Sequence, residues 1–244
     1  MERLFGLLGK NLEHSFSANW FARKFVQEGI TDASYRLFPM ASLQEWPGFV
    51  KAHPLLQGYN VTVPYKESII PLLDGLEDSA RLIGAVNCVS QKAGSWIGHN
   101  TDVIGFRRSL ESLLGNHHPP ALVFGSGGAA KAVAFVLRGC GIPFLQVTRR
   151  PQPGDLSYAD VTPEVMAAHP LLINCTPVGM FPHIHEMLPL PYEAIGPGHF
   201  LYDLIYNPDK TLFLEEGAKR GARCCNGWSM LELQAAASWT IWNS

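Results

Sequence analysis

Lys66 and Asp102 are of two residue types that together make an acid/base pair. An ammonium can give up a proton, and a neighbouring carboxylate holds it in place and tunes its pKa. Lys66 closes the run Tyr59-Asn60-Val61-Thr62-Val63-Pro64-Tyr65-Lys66. Val61 and Val63 alternate with Asn60 and Thr62, the period-two pattern of a strand with unlike faces. Pro64 has no N–H to donate, so pairing should stop there. The expected strand, Tyr59 to Val63, then delivers a lysine where a strand opens onto a loop, the place where α/β enzymes keep their chemistry. Asp102 closes a second polar run, Gly98-His99-Asn100-Thr101-Asp102. Each residue also has an ordinary reading: a solvated lysine on an edge strand, and a carboxylate capping the next helix. The spacing alone does not bring them together.

A second constellation suits a nucleotide. Gly125-Ser126-Gly127-Gly128-Ala129 lies between an apolar strand and a helix. Its glycines permit a tight turn and let backbone N–H groups approach a phosphate. After the next strand, where an NAD site offers an acid to the ribose, the chain offers Thr148-Arg149-Arg150. Two guanidinium groups and a hydroxyl suit a 2′-phosphate, which points to NADP. Asn174-Cys175-Thr176-Pro177 ends a further strand, and Thr176 either contacts the cofactor or serves a structural turn. Ser15 and Ser17 stand at a helix start, as caps or as ligands of a carboxylate.

The elements that must position these residues alternate strand and helix throughout, which predicts an α/β architecture with mostly parallel sheets. Strands are expected at Arg3–Gly9, Tyr35–Pro39, Tyr59–Val63, Ala85–Ser90, Trp96–Asn100, Ala121–Phe124, Phe144–Val147, Leu171–Cys175, Phe200–Ile205 and Ala222–Cys225. Helices are expected from Ser17, as cap, to Gly29, from the capping box Ser42–Glu45, from Tyr65, from Asp102 to Leu114, from Ala129 to Arg138, and from Thr211 to Lys219. A terminal helix should open at the capping box Ser229–Glu232. Asn116-His117-His118-Pro119-Pro120 reads as a break. The expected domains are 1–101, for substrate and catalysis, and 102–226, a Rossmann-like NADP-binding domain. A helix over 227–244 returns to the first.

Composition narrows the function. Of 244 residues, 47% are hydrophobic and 16% charged, which disfavours disorder and allows two cores. A net charge of -2 gives no electrostatic case for nucleic acid or anionic membrane. No apolar run approaches the ~18 residues of a membrane helix, and Met1–Gly6 lacks a signal peptide's apolar core. The five cysteines form no C-x-x-C pair, as for reduced thiols in the cytoplasm. No histidine spacing suits a metal. The expected partners are a small-molecule substrate and NADP, without nucleic acid or membrane, and the expected assembly is a monomer or homodimer.

Taken in order, the motifs resemble the shikimate dehydrogenase family nearly end to end. They are Ser15-Phe16-Ser17, Asn60 to Lys66, Gly84-Ala85-Val86-Asn87, Gly98 to Asp102, Gly125 to Ala129, Asn174 to Met180, Tyr202 to Tyr206, and Asn226-Gly227 with Gln234. The resemblance implies two α/β domains and reversible, NADP-dependent reduction of 3-dehydroshikimate to shikimate. It implies Lys66 and Asp102 as the catalytic pair and Ser15 and Ser17 on the substrate carboxylate. It puts Asn60, Thr62, Asn87, Tyr206 and Gln234 around the rest of the substrate. Gly125, Ser126, Gly127, Gly128, Ala129, Thr148, Arg149, Arg150, Thr176, Leu204 and Gly227 would hold the cofactor. Two stretches depart from the family: Ala18-Asn19-Trp20-Phe21 replaces a common proline and His-Asn, and Thr-Arg-Arg replaces Asn-Arg-Thr. A quinate/shikimate dehydrogenase using NAD, or a silent NADP-binding regulator, are the alternatives.

Overall fold

β1 (Arg3–Gly9) feeds two cores, because successive side chains of a strand leave opposite faces. Leu4 and Leu8 join Tyr59, Val61 and Trp96 on one face, while Phe5 joins Phe21, Phe25 and Trp242 on the other. The computed structural model describes residues 2–13 and 15–244. In it the chain divides into one unit of Met1–Ile104 with Glu232–Ser244 and another of Gly105–Leu231.

The first unit continues through α1 (Ser17–Gln27), β2 (Ala33–Pro39), α2 (Trp46–Ala52), β3 (Leu56–Val61), β4 (Gly75–Leu76), α3 (Asp78–Ile83), β5 (Cys88–Lys92) and β6 (Ser95–His99). Its sheet has the order β2-β1-β3-β5-β6-β4. β1 pairs in parallel with β2 and β3, whereas β5 is antiparallel to both β3 and β6. The β5–β6 hairpin turns at Ala93-Gly94, both with positive φ. The sheet is therefore mixed, since a two-residue turn joins only antiparallel strands.

α4 (Asp102–Leu114) leads into the second unit. There follow β7 (Ala121–Phe124), α5 (Gly128–Gly139), β8 (Phe144–Val147), α6 (Pro163–Ala168), β9 (Leu171–Asn174), β10 (Phe200–Asp203), α7 (Leu212–Lys219) and β11 (Arg223–Cys225). α8 (Trp228–Trp242) ends the chain. The five strands are all parallel, in the order β11-β10-β9-β7-β8. Strand order reverses between β7 and β9, and open α/β sheets bind ligands at that switch point, beyond the strands' carboxyl ends. β7, β9 and β10 are buried along their whole length, as parallel strands covered on both faces must be.

Several local expectations change. Ser17 does not cap α1: Phe16 occupies the cap position without a side-chain bond, and Ser15 Oγ accepts the Ser17 N–H at 3.3 Å. α1 ends at Gln27, and Gly29 in left-handed backbone lets Ile30 N–H return to the Phe25 carbonyl, 2.9 Å. The Ser42–Glu45 capping box is present but opens a 3-10 turn, with α2 following. β3 stops at Val61, two residues early, because Val63 turns out to solvent, 71% exposed. No helix begins at Tyr65; the chain turns there and forms only a 3-10 turn at Ile70–Leu72. The terminal helix starts at Trp228, whose N–H is taken by Asn226 Oδ1 at 3.1 Å, so Asn226 replaces the expected serine cap. The break at 116–120 joins α4 to β7 inside the second unit.

At the carboxyl end of β10, Asp203 is fully buried and accepts bonds from Thr211 Oγ1 (2.6 Å), Ile205 N (3.0 Å) and Asn174 Nδ2 (3.1 Å). Burial outweighs these three donors and pushes its carboxyl up to about 6. The folded chain then keeps a proton that the unfolded chain releases near pH 4, so stability falls as pH rises from 4 to 6 and levels above. The drop from this group is on the order of 3 kcal/mol. Asp203→Asn keeps the shape and cannot ionise. Urea unfolding at pH 4.5 and 7 should show the variant gaining on the wild type at the higher pH. An identical difference at both pH values would show that Asp203 stays ionised.

Candidate active site

The loop that carries Lys66 is fixed at both ends. Thr62 N–H donates to the Leu8 carbonyl (2.9 Å), Tyr65 N–H to Thr62 O (2.9 Å), and Val86 N–H to Lys66 O (2.7 Å). The buried Tyr65 hydroxyl donates to the Met40 carbonyl at 2.7 Å. Lys66 Nζ then lies 2.6 Å from Asp102 Oδ2, with side chains 18% and 7% exposed. The two residues that spacing left apart form one pair.

Asp102 is the first residue of α4, where the positive end of the helix dipole favours a carboxylate. Its second oxygen accepts Asn87 Nδ2 at 2.9 Å. Asn87 Oδ1 in turn accepts Thr101 N–H at 2.6 Å, so one side chain sets the turn that presents Asp102. Gln234 Oε1 stands 3.3 Å from Asn87 Nδ2 and 3.4 Å from Thr101 Oγ1. Behind these, Ser238 is fully buried; its Oγ accepts Asn60 Nδ2 (2.8 Å) and lies 3.2 Å from Thr101 Oγ1. Asn60 Oδ1 accepts the Tyr35 hydroxyl at 3.0 Å, and Ser17 bonds the same phenol. A continuous polar chain thus runs from Ser17 through Tyr35, Asn60, Ser238, Thr101 and Asn87 to Asp102 and Lys66. Buried networks of this kind hold one geometry when every member is satisfied. The Thr62 hydroxyl bonds to no described residue.

Tyr35, Thr101 and Ser238 were not singled out from sequence. Ser238 had a usable signal, since it lies one helical turn beyond Gln234 and so on the same face. Tyr35 had none, because only the β2-β1-β3 order brings it to Asn60.

In the second unit, Gly125 sits at φ +109°, and a Cβ there would lie 3.2 Å from both Cys175 O and Thr176 Cγ2. The loops after β7 and β9 therefore meet at the switch point, with glycine needed for both conformation and room. α5 begins at Gly128 after Gly127, with no side-chain cap, leaving its first N–H groups to an outside acceptor. Thr176 N–H and Oγ1 both donate to Asn174 Oδ1, at 2.9 and 2.7 Å. Thr148 is 5% exposed, and its buried Oγ1 has no hydrogen-bond partner among the described residues. Arg149 and Arg150 are exposed beside it. The first acid after β8, Asp155, accepts Gln152 N–H with one oxygen at 3.0 Å, within its own turn. A Cβ at Gly227 would overlap the Leu204 carbonyl oxygen, so these two residues touch. Tyr206 packs on Trp228, ring centres 6.3 Å apart, and burial raises its phenol.

A parallel Rossmann-like sheet with a glycine turn, and a mixed sheet bearing an ammonium–carboxylate pair, define a two-unit α/β oxidoreductase scaffold. The family model described as shikimate dehydrogenase substrate binding domain matches residues 7–89. A shikimate dehydrogenase (NADP(+)) of Caldicellulosiruptor saccharolyticus is 36% identical, over 99% of this chain and 92% of its own. The crystal structure of shikimate 5-dehydrogenase from Thermus thermophilus in complex with NADP(H) and shikimate is 34% identical. It has a TM-score of 0.87 and covers 98% of this chain and 93% of that one. Quinate dehydrogenase from Corynebacterium glutamicum in complex with NAD has a TM-score of 0.88 at 26% identity, covering 99% and 93%. The chain belongs to the shikimate dehydrogenase family.

Proposed function

We propose that the protein catalyses the reversible NADP-dependent reduction of 3-dehydroshikimate to shikimate. The reading is carried by the 2.6 Å contact of Lys66 Nζ with Asp102 Oδ2, in a chain whose relatives bear that enzyme's name. When bound, the nicotinamide supplies the hydride. Lys66 stabilises the negative charge that forms on the carbonyl oxygen and gives it a proton from Nζ; in the reverse direction Lys66 takes that proton back. Asp102, held by Asn87, keeps the ammonium in place.

Around this pair, Ser15 and Ser17 bind the substrate carboxylate, and Thr62, Asn87, Tyr206 and Gln234 its hydroxyls or carboxylate. Asn60 backs the site, its amide held by Tyr35 and Ser238. On the second unit, Gly125 to Ala129 receive the diphosphate, and Thr148, Arg149 and Arg150 the 2′-phosphate. Thr176, Leu204 and Gly227 complete the cofactor contacts. The orphaned Thr148 hydroxyl fits this use, because a buried polar atom without a partner is costly until a ligand supplies one. Five free cysteines suit a reducing cytoplasm, and no described helix is long and apolar enough to cross a membrane.

The test is to incubate the protein with shikimate and NADP⁺, and separately with quinate and NAD⁺, following reduced-nicotinamide absorbance. Reduction with the first pair is expected. Preference for the second would favour a quinate dehydrogenase, and no reduction with either would favour a silent regulator.

A further inference from the structure

Gln146 lies on β8 next to the glycine turn, and its Nε2 donates to the Gly125 carbonyl at 2.7 Å. Gly125 is held from its other side as well, because its own N–H donates to the Val147 carbonyl at 2.9 Å. The next peptide, Gly125–Ser126, is trans, since the cis bonds of the described residues are all X–Pro. In a planar trans peptide the C=O and the following N–H point in opposite directions. Drawing the Gly125 oxygen toward Gln146 therefore turns the Ser126 N–H away from that side chain. Ser126 is exposed, and no hydrogen bond from a described residue reaches it.

We propose that Gln146 is a positioning residue for cofactor binding, aiming the Ser126 N–H as a preset donor to the diphosphate. The proposal deepens the NADP reading and rests on it. Gly125 in left-handed backbone has no side chain to restrain its peptide. The amide of Gln146 supplies that restraint, so the donor is oriented before the ligand arrives. A donor fixed in advance spares the ordering cost that a free peptide would incur on binding.

The test is calorimetric titration of NADP⁺ and of adenosine 2′-monophosphate into the wild type, Gln146→Leu and Gln146→Glu. The second ligand carries the 2′-phosphate and no diphosphate. Gln146→Leu should raise the Kd for NADP⁺ by roughly five- to tenfold, the loss of one preset hydrogen bond. Gln146→Glu should raise it further, because a carboxylate repels both the Gly125 oxygen and the diphosphate. Adenosine 2′-monophosphate should bind all three proteins equally. Unchanged NADP⁺ affinity in both variants, or equal losses for the two ligands, would overturn the role of Gln146. A wild type that binds neither ligand would overturn the cofactor reading itself, before any variant is compared.

Discussion

Lys66→Ala is expected to lower kcat by on the order of 10²–10⁴-fold, with KM for the substrate within about threefold of the wild type. The split follows from where the ammonium acts. The ground-state carbonyl is neutral, so Lys66 contributes little to binding it, whereas the oxyanion and its proton exist only as the reaction proceeds. Truncation also leaves Asp102, 7% exposed, without the cation 2.6 Å away. An uncompensated carboxylate costs stability as well as rate, though less here than in a sealed core, because the lysine is 18% exposed. Lys66→Met retains the stem and should lose kcat to a similar degree. Steady-state kinetics on samples verified as folded by circular dichroism separate the two effects. A near-normal kcat in either folded variant would sink the assignment.

Arg149→Ala/Arg150→Ala is expected to weaken NADPH by on the order of 10²-fold while changing NADH by less than about threefold. Each guanidinium can supply charge-assisted hydrogen bonds to a 2′-phosphate, and those are worth about twice a neutral bond. NADH has a hydroxyl at that position, so it loses little. Both arginines are exposed, so salt should narrow the wild type's preference, because exposed charges are screened. Cofactor affinities measured by fluorescence titration at low and moderate salt provide the comparison. Equal losses for both cofactors would show that the arginines do not read the 2′-phosphate.

Both predictions begin from residues legible in the chain. The runs ending at Lys66 and Asp102, the glycine turn and the paired arginines are local patterns, and local patterns set local backbone. For the same reason β1, α4, β7 and β8 fall where patterning puts them. The elements depart from those patterns where a local signal is ambiguous or meets a tertiary constraint. Val63 continues a strand alternation, yet β3 ends at Val61, and the chain turns at Thr62–Tyr65 under hydrogen bonds to Leu8 and Met40. Ser17 looks like a helix cap, yet it lies inside α1 against Tyr35, a partner eighteen positions along the chain and beyond local reach.

The alternating α/β class, the glycine turn with its arginines, and the residue types at each strand mouth are legible in the chain alone. Backbone propensity, hydrophobic period and the absence of a proline N–H act over a few residues, so they can be read from a few residues. Folding in three dimensions brings Lys66 to Asp102, Ser238 of the last helix to Asn60 and Thr101, and Gln146 to the Gly125 carbonyl. Those contacts join residues 21 to 178 positions apart. They depend on strand order and on burial strong enough to make each polar group find a partner, and neither is written in any single stretch of the chain.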